Sequence, residues 1–439
     1  MGSVAASLLL WESCTTSLST VERVVFTGCT SNVQRSAANF SCATETSCDA
    51  SACRLVDCTC SRCVRMDAPE AELSCACSAG GCACAEQQTE SPHLTVSGQS
   101  AGGSMAIQHL VAYSHSVDGA AIVAGSPYGC GAVPLDQWIC FTGPFGTLDE
   151  DRALRYIRER RESGLIDAPV WLRLRRTPLL LFSGSKDHVV WQDVMRATAR
   201  QLEALAAPGQ VASVFNTSAS HVWSIDHGDC SCGDCALELG DGVCCDVNNC
   251  LYDLSGDMLS RFYGPALRQR STPLPRLHWV AQWPFVPAHA ARLPTPARML
   301  EWAIVYVSSG CEREPSRCRL HVNYHGCTAN DWKQRREWVR HIDLNEYAES
   351  NDLVVVYPQA AGNNATGIGC WDWFDAGDAD FDTRRGSQLS TVTALIADID
   401  AAVRGALVLP DDRADDALPP NEAGGVAAHE AVVEAADAN

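Results

Sequence analysis

Leu94-Thr-Val-Ser-Gly-Gln-Ser-Ala-Gly-Gly103 is the stretch of sequence that decides the fold. A strand-like run, 94–97, leads into a Gly-x-Ser-x-Gly pattern, and a helix-like stretch, 102–114, follows it. Glycines on both sides of Ser100 let the chain turn sharply, so that the hydroxyl projects from the strand end with the helix N-terminus behind it. The pattern predicts a nucleophilic Ser100, although an ordinary Gly/Ser turn has the same short signature.

The sequence around this motif alternates between strand-like and helix-like patterns. From about residue 91 to 405 this alternation predicts an α/β fold with a mainly parallel central sheet. His109 and His115, in the first helix-like stretch, are interpreted as helix-surface residues. The strand-like runs are 94–97, 120–124, 179–183, 319–324 and 353–357, and the helix-like runs are 102–114, 191–205 and 390–406.

Two regions of different composition flank this segment. Residues 1–90 hold half of the 24 cysteines in low-complexity sequence. Such a segment has too few large apolar residues to form a core, so its stability must come from disulfide bonds. We interpret this Cys-rich region as a small disulfide-bonded module or a cross-linked spacer. Its first residues, 1–11, have the short apolar run of a degenerate signal peptide but no basic residue ahead of it. Residues 406–439 are acidic and Ala-rich, and we expect a disordered tail.

Cysteine content and charge indicate the compartment and the classes of partner. Because disulfides persist outside the cell, 24 cysteines in 439 residues favour a secreted protein. A net charge of −20 repels nucleic acid and anionic membrane surfaces. No apolar run approaches the roughly 20 residues that a membrane helix needs. We therefore expect a secreted monomer with neither nucleic-acid nor membrane partners.

A serine nucleophile needs an imidazole base and an acid that orients the imidazole, and both have candidates downstream. Asp187 lies in a turn after a strand-like run and is the candidate acid, with Asp193 as its nearest rival. His221 lies in a loop after the next strand-like run and is the candidate base. His188 and His227 are close by. The resulting chain order of serine, aspartate and histidine is the one that follows a nucleophile elbow.

The fourth element is Leu320-His-Val-Asn-Tyr-His-Gly-Cys327, a strand-like segment that ends in His-Gly. Such a loop can supply one backbone N–H, from Cys327, to a developing oxyanion, and Ala101 can supply a second; a simple strand-end turn is the alternative. In most α/β hydrolases this loop precedes the nucleophile, whereas here it follows Ser100 by more than two hundred residues. The order predicts a circular permutation, which requires the two ends of the domain to meet.

Together these motifs resemble the extracellular poly(3-hydroxybutyrate) depolymerases, in particular the circularly permuted single-domain fungal type. The resemblance spans nearly all of 91–405 and implies a circularly permuted α/β-hydrolase. Further motifs that carry it are Gly125-Ser-Pro-Tyr-Gly-Cys130, Cys250-Leu-Tyr-Asp-Leu-Ser-Gly256, Val356-Tyr-Pro-Gln-Ala360 and Gly369-Cys-Trp-Asp-Trp373. The site residues that it implies are a triad of Ser100, Asp187 and His221, oxyanion donors at Ala101 and Cys327, and a substrate-binding Trp371.

The resemblance implies a serine esterase that cleaves poly(3-hydroxybutyrate) or related hydroxyalkanoate esters through an acyl-enzyme. We expect a polyester or ester substrate, no cofactor and no metal. Two alternatives remain: a feruloyl or acetylxylan esterase, and a non-catalytic secreted binding protein on a hydrolase scaffold.

The chain also departs from the single-domain enzymes. The Cys-rich region and the acidic tail have no counterpart there, and the Cys-rich insert 226–235 beside His221 is unusual. In the region of resemblance we hypothesise three disulfides: Cys130–Cys140, Cys311–Cys318 and Cys327–Cys370.

Overall fold

The computed structural model divides the chain into two compact units, 1–91 and 92–439, and each is described by itself. The signal-like start and the predicted tail beyond Ala406 lie outside the described residues. The structure describes residues 14–16, 24–26, 38–44, 60–65, 72–78, 81–87, 93–132, 139–142, 150–233, 246–291, 295–329, 332–362, 368–374 and 378–406.

The first unit contains an antiparallel sheet. Its six described strands lie in the order β1-β3-β4-β5-β6-β2. The strands are β1 (Cys14–Thr16), β2 (Val24–Phe26), β3 (Ala38–Thr44), β4 (Cys60–Arg65), β5 (Glu72–Ser78) and β6 (Gly81–Gln87).

The second unit is built on a sheet whose eight described strands lie in the order β10-β9-β8-β7-β15-β17-β14-β13. The first six strands in this order, β10-β9-β8-β7-β15-β17, are parallel to one another, whereas β14 and β13 are each antiparallel to their neighbours. They are β7 (Leu94–Gln99), β8 (Gly119–Val123), β9 (Leu179–Phe182), β10 (Val211–Val214), β13 (His278–Ala281), β14 (Trp302–Val307), β15 (Arg319–Tyr324) and β17 (Leu353–Tyr357).

Two small sheets accompany it, a parallel pair of β11 (Trp223–Ile225) with β12 (Val247–Asn249) and an antiparallel pair of β16 (Thr328–Ala329) with β18 (Ile368–Gly369). The described helices are α1 (Ala101–Ala112), α2 (Ile139–Thr142), α3 (Glu150–Glu162), α4 (Val170–Leu174), α5 (Gln192–Leu205), α6 (Leu254–Tyr263), α7 (Ser309–Arg313), α8 (Trp332–His341), α9 (Leu344–Asn351) and α10 (Ser387–Ala406). Short 3-10 turns are Gly264–Ala266, Trp283–Phe285, Pro296–Arg298 and Pro315–Arg317.

The central sheet is buried on both faces. Along β17, Val354 and Val356 join one apolar core, and Val355 joins the other, because successive side chains point to opposite faces of a strand. Residues of α1 and α10 fill the first core, and residues of α6 and α8 fill the second. This burial explains why the sequences of the central strands are nearly continuous apolar runs. The parallel pairing of most strands and the helices on both faces confirm the predicted α/β class and mainly parallel sheet.

The interpretation of His109 as a helix-surface residue is wrong. The helix α1 is buried all round, so His109 is enclosed and its Nδ1 lies 2.8 Å from the Tyr324 hydroxyl. Burial lowers the pKa of this imidazole to about 3. His115 is half-buried, and its ring packs edge-on against Trp171.

Four disulfides join pairs of described cysteines. Cys130–Cys140, Cys311–Cys318 and Cys327–Cys370 are the three hypothesised pairs, and Cys232–Cys250 is a fourth that was not predicted. The bridge Cys327–Cys370 links the loop after β15 to the segment that follows β18. Within the described part of the chain, no helix has both the length and the apolar character needed to span a bilayer.

Candidate active site

Ser100 forms the sharp turn between β7 and α1. Its backbone has φ 58° and ψ −124°, a conformation that is strained for a residue with a side chain. The Ser100 N–H donates to the carbonyl of Val123 at 2.9 Å, and the Ser100 carbonyl accepts the first helical bond, from Ser104. These bonds hold the half-buried serine at the carboxyl end of its strand, which is the geometry of a nucleophile elbow.

Two glycines make this turn possible through close backbone approach. A Cβ on Gly98 would lie 2.2 Å from the Gly102 carbonyl oxygen, and a Cβ on Gly102 would lie 2.1 Å from the Tyr324 carbonyl oxygen. Both distances are far below van der Waals contact. The glycines of Gly-x-Ser-x-Gly therefore let the start of α1 pack directly on the ends of β7 and β15.

Asp187 lies in the turn after β9, and both of its carboxylate oxygens are engaged. Oδ1 accepts from the backbone N–H groups of Val189 and Val190, each at 2.9 Å, and Oδ2 lies 2.9 Å from Nδ1 of His221. The rival Asp193 is a helix residue with a 69% exposed side chain, 3.8 Å from Arg196. Only Asp187 of these two is fixed against an imidazole.

Hydrogen bonds between backbones tie the loop of the acid to the loop of the histidine. Ser185 N–H donates to the Thr217 carbonyl at 2.9 Å, and Lys186 N–H donates to the Ala219 carbonyl at 3.0 Å. Because a carboxylate can only accept, Nδ1 of His221 carries the proton and Nε2 is left as an acceptor.

Gln99, which directly precedes the serine, joins His221 to the elbow. Its Nε2 donates to the His221 carbonyl at 3.0 Å. Sequence reasoning did not single out Gln99, although a polar side chain at the buried end of a strand was a signal. The rival His227 lies elsewhere, with Nε2 at 3.0 Å from the carboxylate of Asp343. The structure thus brings His221, and not His227, to the acid and the elbow.

Gly184 is a position of close contact between the two loops, since a Cβ there would lie 1.9 Å from the Ala219 carbonyl oxygen. We expect Gly184→Ala to lower the free energy of unfolding by about 1–3 kcal/mol, because the loops must separate to admit the methyl group. The turnover of ester substrates should fall as well, because Asp187 and His221 lie in these two loops and would move apart with them. Denaturant unfolding and steady-state kinetics measure the two effects.

The matched control is Gly405→Ala in α10, where nothing lies within 4 Å of an added Cβ. Alanine is the better helix former, so this variant should be neutral or more stable by up to about 1 kcal/mol. A Gly184→Ala protein with unchanged stability and turnover would contradict the close packing of the two loops.

The predicted oxyanion residues lie beside the serine. Ala101 is the first residue of α1, where a backbone N–H has no acceptor within the helix. A Cβ on Gly326 would lie 3.3 Å from the Ser100 Cβ, so the loop after β15 reaches the nucleophile. The next residue, Cys327, is exposed and is anchored by its disulfide to Cys370.

Trp371 is fully buried, so its ring does not lie on the open surface. It packs edge-on against Tyr324, with ring centroids 5.0 Å apart, and obliquely against His325, at 5.4 Å. Its Nε1 is buried and has no hydrogen-bond partner among the described residues. A substrate-binding role for Trp371 stays a prediction.

One compact group of potential metal ligands is found in the described residues: Asp226, His227 and Asp343. Arg270 already places a guanidinium nitrogen 2.7 Å from a carboxylate oxygen of Asp226 and 3.1 Å from one of Asp343. An arginine therefore already neutralises part of the acidic charge of this group.

Known proteins resemble the chain over about 71% of its length. No protein-family model matches it. A poly(3-hydroxybutyrate) depolymerase of Delftia acidovorans is 29% identical over 317 residues, which are 71% of this chain and 60% of that protein's length. A polyhydroxybutyrate depolymerase of Talaromyces funiculosus is 26% identical over 327 residues, 71% of this chain and 91% of the relative. The chain is a homologue of poly(3-hydroxybutyrate) depolymerases.

Solved depolymerase structures share the fold of this depolymerase homologue. The PHB depolymerase of Penicillium funiculosum matches 70% of the chain with a TM-score of 0.58 and 25% identity, over 95% of its own length. An alanine variant of a PHB depolymerase, complexed with an R3HB trimer, matches 71% of the chain with a TM-score of 0.60 and 24% identity, over 96% of its own length. The fold is α/β-hydrolase-like, as predicted.

Proposed function

We propose that the chain is a secreted serine esterase that hydrolyses poly(3-hydroxybutyrate) or related hydroxyalkanoate esters through an acyl-enzyme. The observation that carries the proposal is the chain of contacts from Asp187 to His221 and from the His221 backbone to Gln99, which directly precedes Ser100. Homology to depolymerases over 71% of the chain supports the polyester as substrate.

In the proposed mechanism, Ser100 Oγ attacks the ester carbonyl while Nε2 of His221 accepts the hydroxyl proton. Asp187 holds the imidazole in the tautomer that leaves Nε2 free and stabilises the imidazolium that forms. The tetrahedral intermediate collapses, the C–O bond to the alcohol breaks, and His221 returns the proton to the leaving alkoxide. Water then attacks the acyl-serine with the same base, which releases the hydroxy acid and regenerates the serine.

The oxyanion of each tetrahedral intermediate is assigned to two backbone N–H groups, of Ala101 and Cys327. Their fixed direction means that no reorganisation is needed as the charge develops, and loss of one such donor typically costs about 10²- to 10³-fold in turnover. The substrate-site role that the resemblance implies for Trp371 stays part of the proposal: Trp371 directly follows Cys370, whose disulfide with Cys327 ties this segment to the oxyanion loop.

A circular permutation is part of the proposal. The first strand of the unit, β7, lies in the middle of the sheet beside β15, which follows it by more than two hundred residues. The first described residue of the unit lies against its last described helix: Nε2 of His93, just before β7, lies 3.1 Å from the carboxylate of Asp400 in α10. This contact supports the proposed permutation, because the two ends of a permuted domain must lie close together.

We assign catalysis to residues 91–405 and secretion to the whole protein. Disulfides such as Cys130–Cys140 and Cys327–Cys370 support an oxidising compartment, because they do not persist in a reducing cytosol. The proposed enzyme works as a monomer on ester substrates and has no nucleic-acid or membrane partner.

Release of 3-hydroxybutyrate from amorphous polymer granules tests the substrate class. The full-length protein should release the acid or its oligomers from granules and should leave feruloylated and acetylated xylan essentially intact. Release of ferulate or acetate at a higher kcat/KM than that for 3-hydroxybutyrate oligomers would instead support the carbohydrate esterase. A folded protein without activity on any of these esters would support the non-catalytic binding protein.

A further inference from the structure

A buried hydrogen-bond network behind the oxyanion loop determines which nitrogen of His325 carries the proton. Nε2 of this enclosed imidazole lies 3.1 Å from the Ala360 backbone N–H and 3.0 Å from the Arg335 guanidinium. Both groups are donors only, so Nε2 must accept and the proton resides on Nδ1. The Nδ1–H then donates to the Gly326 carbonyl oxygen, 2.5 Å away.

This bond fixes the direction of the next backbone N–H. The described peptide bonds are all trans, so the Gly326 carbonyl and the Cys327 N–H belong to one planar group and point in opposite directions. Because the carbonyl is drawn back to His325, the Cys327 N–H is directed away from it. Gly326 itself lies against the Ser100 side chain. The tautomer of His325 therefore sets the orientation of the Gly326–Cys327 peptide, which lies next to the nucleophile.

Arg335, on α8, holds this arrangement in place. Its side chain is almost fully buried, and besides His325 it donates to Oε1 of Gln359 at 2.7 Å and to the Ala360 carbonyl at 2.8 Å. A guanidinium keeps its protons and cannot accept, so it excludes the tautomer that carries hydrogen on Nε2. Burial and the neighbouring positive charge also keep the pKa of His325 well below its usual value, so the ring stays neutral.

We propose that Arg335 is a positioning residue for the oxyanion hole. It fixes the Nδ1–H tautomer of His325 and thereby directs the Cys327 N–H at the oxygen of the reacting carbonyl. The proposal rests on the proposed esterase function. Arg335 touches no substrate in this role and acts only through His325 and the Gly326–Cys327 peptide.

Two substitutions of His325 distinguish the roles of its two ring nitrogens. His325→Asn keeps an N–H near the position of Nδ1, whereas His325→Gln keeps a group near Nε2 and loses the donor to Gly326. With a soluble ester such as p-nitrophenyl butyrate, we expect His325→Gln and Arg335→Met to lower kcat by about 10- to 100-fold, which is less than the full cost of losing one oxyanion donor because the N–H is misdirected and not removed. KM should change by less than about 3-fold, and His325→Asn should recover most of kcat.

An alkyl boronic acid forms a tetrahedral adduct on the serine that resembles the reaction intermediate. Its inhibition constant therefore reports on the oxyanion hole and would not change if Arg335 and His325 only stabilised the fold. Its inhibition constant should rise in parallel with the loss of kcat in His325→Gln and Arg335→Met. The control Arg340→Met, also on α8, breaks an ion pair with Glu337 at 3.5 Å and leaves the contact between Arg335 and His325 in place, so it should behave as wild type. Equal losses in His325→Asn and His325→Gln, or unchanged boronate affinity in Arg335→Met, would overturn the proposal.

Nitrogen-15 spectra of the wild-type protein test the tautomer without any variant. We expect His325 to remain neutral and protonated on Nδ1 from pH 5 to 8, and a proton on Nε2 would overturn the proposal. Wild-type activity and its dependence on Ser100 report separately on the esterase function. An inactive wild type therefore contradicts the function, whereas an active wild type with insensitive Arg335 and His325 variants contradicts this inference alone.

Discussion

Ser100→Ala is expected to lower kcat for ester hydrolysis by at least about 10⁴-fold, because no acyl-enzyme can form and only the oxyanion donors and binding contacts remain. The fold should survive. The hydroxyl makes no described hydrogen bond that caps α1, and the elbow is held by backbone bonds to Val123 and Ser104. Alanine at a positive φ changes little, since Ser100 is itself strained there. Initial rates with p-nitrophenyl butyrate and granules measure the loss.

Ser116→Ala is the matched control, since Ser116 is exposed just beyond α1 and bonds only to the Tyr113 carbonyl among its described contacts. Its kcat should equal that of the wild type. Circular dichroism and thermal unfolding check that both variants are folded. A folded Ser100→Ala protein that retains more than a few percent of turnover would remove the serine from the mechanism.

Asp187→Asn is expected to lower kcat by about 10⁴-fold, through the tautomer of His221 rather than through its position. The asparagine oxygen should remain on the two backbone N–H groups of Val189 and Val190, because only an oxygen can accept from them. The amide NH₂ is then left facing Nδ1 of His221. Two donors cannot face each other, so the imidazole proton moves to Nε2, and the base that must accept from Ser100 is lost.

The rival acid supplies the control for this prediction. Asp193→Asn changes the same side chain at an exposed site and should leave kcat within about 2-fold, as surface substitutions usually do. Steady-state rates over pH 5–9, together with thermal unfolding, separate a loss of turnover from a loss of folding. Similar kcat values for Asp187→Asn and Asp193→Asn would contradict the assignment of the acid.

Much of the site could be predicted because its parts are local. The elbow at Ser100 can be recognised in the sequence from the flanking glycines, which the backbone of this turn requires. Asp187 follows a strand-like run that ends at the same edge of the parallel sheet as the strand before Ser100. Chain order and strand ends therefore nominated Asp187, and together with the resemblance to the depolymerases they nominated His221. The hydrogen bond between their side chains agrees with that choice, whereas their catalytic roles stay proposals.

The features that sequence reasoning missed depend on contacts between distant segments. The network of Arg335 joins α8 to residues at the ends of β15 and β17, and nothing in the local pattern of α8 distinguishes this arginine from its neighbours. His109 was misjudged for the same reason, because α1 is enclosed on every side in the second unit. The depth of Trp371 likewise follows from packing on Tyr324 and His325.

Covalent labelling by a fluorophosphonate, followed by mass spectrometry of the proteolytic fragments, tests most directly that Ser100 is an activated nucleophile. The account predicts one stoichiometric adduct on the peptide that contains Ser100, with matching loss of 3-hydroxybutyrate release. Ser100→Ala should give no adduct, and Ser116→Ala should label at the wild-type rate. A folded wild-type protein that stays unlabelled, or that carries the adduct on another serine, would contradict the account.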